Sequence, residues 1–294
     1  MNDQTDVAAE ERILTFELYH ENSKQRRNDL AFNRRIYEVN NNPDIHRVLA
    51  RSFKSYPAAT FTALPPVAPD EGFEKTLASR RSIRRFTTEP LQLHQLARLL
   101  HFGCGITGRL DPDDHDNSQP VRAAPSAGAL YPVETYVAVM AVEGLQRGLY
   151  RYAVDRRGLE LLQHGSLADA LSEATSDPAT FSNSACVFIL AGAFGRSHFK
   201  YGERGYRFTL FEAGHICQNI LLTATSQGLG AVAVGGFVDD EVNAMLDLDG
   251  VDEASLYLIA AGHPAPRPAK RPAEFVDRIL MALSSRSRED MERE

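Results

Sequence analysis

The sequence predicts an α+β chain, in which helices surround strands that pair through short turns. Three stretches carry that prediction. The unbroken apolar run Ala185-Cys186-Val187-Phe188-Ile189-Leu190-Ala191 reads as a central strand covered on both faces. Residues 203–227 form the strongest helix, nearly apolar along its length, with Phe208, Phe211, His215, Ile216, Asn219 and Leu222 inside it. Strands at 148–154 and 159–163 flank Asp155-Arg156-Arg157-Gly158 and read as a hairpin. No Gly-x-Gly-x-x-Gly fingerprint stands in a strand-to-helix setting, which argues against a Rossmann domain.

Taken in order, residues 1–10 are polar and read as disordered. Ile13, Leu14, Phe16 and Leu18 give 11–24 an imperfect apolar helix face, and His20 and Glu21 read more readily as its polar end than as catalytic groups. Four prolines, Pro57, Pro65, Pro66 and Pro69, make 57–69 an extended connector. Residues 1–70 are therefore expected to be an arm with a helical segment, and 71–294 the main domain. A short helix at 72–78 precedes an amphipathic one at 91–104, where Leu93, Leu96, Ala97, Leu100 and Cys104 follow helical spacing before Gly105. The segment 109–120 holds Asp111, Asp113, Asp114, His115 and Asp116, but lacks the glycine and closing glutamate of a calcium loop and reads as a surface loop.

Further strands are expected at 133–142 and 256–261, and helices at 167–174, 239–246 and 273–283. Between the long helix and the helix at 239–246, 228–237 gives a helix end, a buried strand and the turn Gly235-Gly236.

Composition bounds the class of partner. The 294 residues are 43% hydrophobic, enough for a sizeable core, and carry a formal charge of −7. An acidic chain is not expected to bind nucleic acid, so the arginine cluster at 80–85 is a local positive site on an acidic protein. Cys104, Cys186 and Cys217 sit in or beside apolar runs without C-x-x-C spacing and read as reduced core residues. No signal peptide and no bilayer-spanning run is apparent, so a cytoplasmic protein without a membrane is expected.

Three stretches carry chemistry. In Arg80-Arg81-Ser82-Ile83-Arg84-Arg85-Phe86, four guanidinium groups and a hydroxyl fall within six residues. Such a cluster suits a phosphate dianion, although a solvated basic turn has the same composition. In Pro125-Ser126-Ala127-Gly128-Ala129-Leu130-Tyr131-Pro132, small residues between prolines let backbone approach a flat ligand, or simply make a tight loop. Lys200-Tyr201 follows the buried strand, where α/β sites form, within glycine-flanked polar residues. Either side chain exchanges a proton near neutrality only when its high ordinary pKa is lowered, which a neighbouring cation or partial loss of water does to Lys. A polar loop with its lysine turned to solvent is the alternative.

Together these motifs resemble the nitroreductase-like FMN flavoproteins, and within them the SagB-type azoline dehydrogenases. The shared pieces are Arg80-Arg81-Ser82-x-Arg84, the Pro125-to-Pro132 loop, Lys200-Tyr201-x-x-Arg204-x-Tyr206-Arg207, Glu212-Ala213-Gly214-His215 and Gly235-Gly236. They occur in the family's order across about 12–284. Ala129 stands where nitro-reducing members commonly carry Asn, and Gly235-Gly236 where they often carry Glu-Gly.

The resemblance implies a mixed, mainly antiparallel sheet covered by helices, and a homodimer with FMN at its interface. It implies that Arg80, Ser82, and Lys270 or Arg271 hold the phosphate, with Arg81 beside them and Arg84 at the pyrimidine edge. Pro125, Ser126, Ala127 and Gly128 would meet the ring from one subunit, Gly235 and Gly236 from the other. Lys200 and Tyr201 would be catalytic in oxidising an azoline on a peptide or carrier, in company with a cyclodehydratase.

Overall fold

A computed structural model of the chain describes residues 14–27, 29–45, 64–66, 68–110, 113, 118–175 and 177–266. Lys270, Arg271, the helix expected at 273–283, most of the 57–69 connector and the acidic centre of 109–120 lie outside them. The chain divides into one unit, Met1–Pro264, and a second, Ala265–Glu294, of which 265 and 266 are described.

In the first unit the elements run α1 (Thr15–Ser23), α2 (Leu30–Asn40), α3 (Phe73–Ser79), α4 (Leu93–Cys104), β1 (Ile106–Leu110) and β2 (Gln119–Arg122). A 3-10 turn at Ala127–Ala129 leads to β3 (Val133–Val139), β4 (Gly148–Ala153), β5 (Gly158–His164), α5 (Ala168–Glu173) and α6 (Pro178–Ser182). Then come β6 (Cys186–Ala193), α7 (Gly195–Tyr201), α8 (Arg204–Ser226), β7 (Gly230–Val234), α9 (Asp239–Met245) and β8 (Glu253–Gly262).

Six strands form the main sheet in the order β5-β4-β3-β6-β8-β7. Every ladder in it is antiparallel, and parallel contact is confined to the isolated bridges Ser82↔Ala231 and Leu91↔Val142. All of β6 is buried, as its lack of alternation requires. Cys186, Phe188 and Leu190 face a core completed by Leu96, Leu99 and Leu100 of α4 and Ile216, Cys217 and Ile220 of α8. The alternate residues Val187, Ile189 and Ala191 face Leu171 of α5, Phe181 of α6 and Val242 of α9.

Several local features differ from expectation. The segment 109–120 is not all loop, because its two ends pair as the hairpin β1–β2. Lys200-Tyr201 closes a helix, α7, instead of standing in a loop. Helix α2 has no buried apolar stripe to announce it; the Asp29 side chain caps it by accepting the Phe32 amide at 2.8 Å.

His20 is not at a polar end. It is buried, with Nδ1 3.2 Å from the Tyr206 hydroxyl, and burial lowers its pKa. Phe16 stacks on Tyr206 at 5.5 Å, and the Glu203 carboxylate accepts the Thr15 and Phe16 amides at 3.1 and 2.9 Å. Lys24, its side chain buried, pairs with Glu21 and Asp240 at 2.6 and 3.2 Å. These bonds seat α1 on α8 and α9. No helix among the described residues is long and apolar enough to cross a membrane.

Candidate active site

Strand order creates the site. Because β3 and β6 are antiparallel neighbours with Val133 opposite Gly192, the loop entering β3 and the helix leaving β6 emerge at one sheet end. The Ala193 amide donates to the Pro132 carbonyl at 2.8 Å and fixes that junction. Gly128, at φ +62°, then faces α7: a Cβ there would lie 2.5 Å from Tyr201 Oη and 2.7 Å from Lys200 Nζ. Two stretches more than seventy residues apart thus meet at one point. Lys200 is exposed, Tyr201 half-buried, and Nζ lies 5.4 Å from the Tyr201 ring centre. The Tyr201 ring stands edge-on to Phe208 at 5.0 Å, and Phe211 follows at 6.4 Å.

The loop is strained and heavily held. Ala129 and Tyr131 adopt φ +54° and +47°, a left-handed region that costs a non-glycine residue roughly 1–2 kcal/mol. Ser126 Oγ accepts the Tyr131 amide at 2.9 Å, and Tyr131 Oη accepts the Arg122 amide at 3.1 Å. The Arg122 guanidinium lies 4.4 Å over the Tyr131 ring. Arg196 donates to the Tyr131 carbonyl at 3.2 Å while pairing with Glu134 at 2.6 Å.

Beneath this loop lies Glu212 of α8, 2% exposed, whose Oε2 has no hydrogen-bond partner. Burial pushes its pKa up to about 7, only partly offset by the Ser126 hydroxyl, the Val133 amide and the charges of Arg122 and Arg196. With Pro125, Ser126, Ala127, Phe208 and Phe211 it lines a cleft of about 290 Å³. Glu212 stands in the motif Glu212-Ala213-Gly214-His215, where its residue type alone assigns it no role. The signal is an acid on the apolar face of a core helix.

The arginine cluster occupies the far edge of the sheet. Ser82 bridges to Ala231 of β7, and the Ile83 amide donates to the Ala231 carbonyl at 3.0 Å. A side chain on Gly230 would lie 2.7 Å from Ile83, so that glycine permits the approach. Phe86 is buried and anchors the end of the stretch in the core. Arg81 Nη1 donates to the Ala78 and Arg80 carbonyls at 2.9 and 2.7 Å and so closes α3. None of Arg80, Arg81, Arg84 and Arg85 forms an ion pair with a described residue.

Gly235 and Gly236 stand at the end of β7 and line a different cavity, of about 490 Å³, against Asn22, Lys24, Gln25 and Arg35 of the arm. Within this chain the structure therefore gathers Ser126, Gly128, Lys200 and Tyr201, and places the arginine cluster and the diglycine elsewhere.

Known proteins resemble the chain in sequence and in fold. MJ1384 of Methanocaldococcus jannaschii, named for the nitroreductases, is 34% identical over 189 residues, covering 64% of this chain and 89% of that protein. The microcin B17-processing protein McbC of Escherichia coli is 33% identical over 135 residues, which span 44% of this chain and 49% of McbC. The fold also matches a chain of the E. coli microcin synthetase McbBCD complex with truncated pro-MccB17 bound. The TM-score is 0.58 at 22% identity, covering 77% of this chain and 84% of that one. A nitroreductase family model spans residues 77–263, from before the arginine cluster through the strained loop and both site helices to the end of the sheet, and the chain belongs to that family.

Proposed function

We propose that this chain is an FMN-dependent dehydrogenase that oxidises a thiazoline or oxazoline, on a peptide or carrier-bound intermediate, to the aromatic azole. The observation that carries this reading is the meeting of Lys200 Nζ and Tyr201 Oη at the space left by the missing side chain of Gly128. Tyr201 stands edge-on to Phe208, which with Phe211 walls the cleft beside the loop.

The residues present fit FMN. Arg80, Arg84 and Ser82 offer guanidinium and hydroxyl donors that no described carboxylate occupies, with Arg81 beside them. Pro125, Ser126, Ala127 and Gly128 offer a flat, small-residue surface, next to which Glu212 holds an unpartnered buried oxygen. Bound FMN supplies a two-electron oxidant that takes a hydride, and dioxygen can restore it.

The ring loses one hydride and one proton. In this reading Lys200, assisted by Tyr201, takes the proton from the neighbouring ring carbon, Phe208 and Phe211 flank the ring, and the loop fixes the alignment. Because Gly235 and Gly236 line another cavity, they serve a second copy's site in a homodimer. Leu210 and Phe211, 37% and 55% exposed on α8, give that copy an apolar strip. Residues 1–70 act as an arm on the FMN-binding domain 71–294, in the cytoplasm.

The likeness to McbC favours a peptide substrate and a complex with a cyclodehydratase. The match to MJ1384 favours a second reading, a NAD(P)H-dependent reductase of nitro or quinone compounds. An azoline peptide incubated with air and the purified yellow protein, then weighed by mass spectrometry, tests the first. Loss of two hydrogens per ring with wild type, and none with Lys200→Ala at equal flavin content, is the expected result. Intact azolines with both proteins would overturn it.

A further inference from the structure

We infer that Arg196 is a positioning residue, which clamps the strained loop to the helix that carries Lys200 and Tyr201. The inference rests on the roles proposed for those two residues, but its geometry stands apart from them.

Arg196 occupies the first turn of α7, four residues before Lys200. Its Nη1 donates both to the Tyr131 carbonyl at 3.2 Å and to Glu134 Oε1 at 2.6 Å. Tyr131 is the last left-handed residue of the loop, and its amide and hydroxyl are already held by Ser126 and by the Arg122 amide. Only its carbonyl reaches α7. Glu134, whose side chain is 13% exposed, engages Arg151 through Oε2 at 3.2 Å, which leaves Oε1 to Arg196. A carboxylate so enclosed holds its second cation firmly, because release would leave a shielded charge half-paired.

The loop and α7 thus touch at two places. One is Gly128 against the Lys200 and Tyr201 tips, and the other is Tyr131 against Arg196. The first contact has no hydrogen bond of its own to hold it, so the second sets how near Nζ and Oη stand to the ligand face of the loop. Losing it moves reactive groups without removing any.

The test compares Arg196→Ala and Arg196→Lys in the full-length, flavin-loaded protein. A misplacement of ~1 Å costs on the order of a hundredfold in rate, so kcat on an azoline peptide falls by between ~10-fold and ~100-fold in Arg196→Ala. KM and flavin content stay within about twofold of wild type, and Arg196→Lys or added millimolar guanidinium restores part of kcat. Hydrogen exchange across 126–131 speeds up in Arg196→Ala, a readout that needs no substrate.

Unchanged kcat, or a fall that merely tracks lost flavin and thermal stability without rescue, would overturn the clamp. If wild type oxidises no azoline, the proposed function fails by itself. The clamp is then judged on exchange alone, and unaltered exchange refutes it.

Discussion

Gly128→Ala places one methyl group at the point where the loop meets α7. The new carbon would lie 2.5 Å from Tyr201 Oη and 2.7 Å from Lys200 Nζ. An ordinary contact is ~3.5 Å, so both tips must retreat by about 1 Å. The backbone adds a second cost, because φ +62° is left-handed and disfavours alanine by about 1 kcal/mol. For a chain of this size that lowers Tm by roughly 2–4 °C, whereas a 1 Å displacement of reacting groups costs on the order of a hundredfold in kcat.

Gly144→Ala separates the two effects. Gly144 also has a left-handed φ, +76°, but nothing lies within 4 Å of its would-be side chain. Both variants should lose similar Tm by calorimetry, and only Gly128→Ala should lose turnover at equal flavin content. If Gly128→Ala keeps kcat within about twofold of wild type, the contact does not set the alignment and the reasoning fails.

Further outcomes concern buried groups. Glu212 has its pKa raised from 4.5 to about 7, so its contribution to stability is present below 4.5 and is lost as pH rises through 7. The full difference corresponds to about 3 kcal/mol, and Glu212→Gln should flatten the decline in Tm between pH 5 and 8. His20, with its pKa lowered from 6.5, acts with the opposite sign and loses stability as pH falls below 6.5. Separate His20 and Glu212 variants therefore distinguish the two better than one titration. Burial pushes Cys104 up to about 11 and Cys186 and Cys217 up to about 12, so iodoacetamide at pH 8 should label none of them until guanidinium unfolds the chain. Glu203→Ala removes the acceptor of the Thr15 and Phe16 amides, at a cost of about 1 kcal/mol, and should speed proteolysis near α1 without changing the core's Tm by more than a few degrees.

What the sequence makes legible tracks how strongly burial constrains it. Strand β6 is readable because both its faces need apolar side chains, and α8 because its buried face spans the core. Helix α2 escapes notice because Leu30, Ile36, Tyr37 and Val39 are all exposed, so no core imposes a period on them. Its Asp29 cap is the one local signal. The glycines around 195–202 suggest a loop, but the packing of α7 on α8 makes a helix of it.

The candidate site divides in the same way. The arginines, the small-residue loop and Lys200-Tyr201 are visible as residue types. That the last two meet follows from the register of β3 and β6, which no local pattern states. Arg196 gains its meaning from left-handed Tyr131, whose conformation contradicts its residue type, and Glu212 from the Ser126 hydroxyl and Val133 amide that the fold brings to it.

The most direct test is an anaerobic titration of the purified yellow protein with an azoline-containing peptide, following the flavin's visible absorbance beside Lys200→Ala. Bleaching in wild type, with none in a variant that retains its flavin, is the predicted result. No bleaching by any azoline, with rapid bleaching by NAD(P)H, would contradict azoline dehydrogenation and place the chain among the reductases.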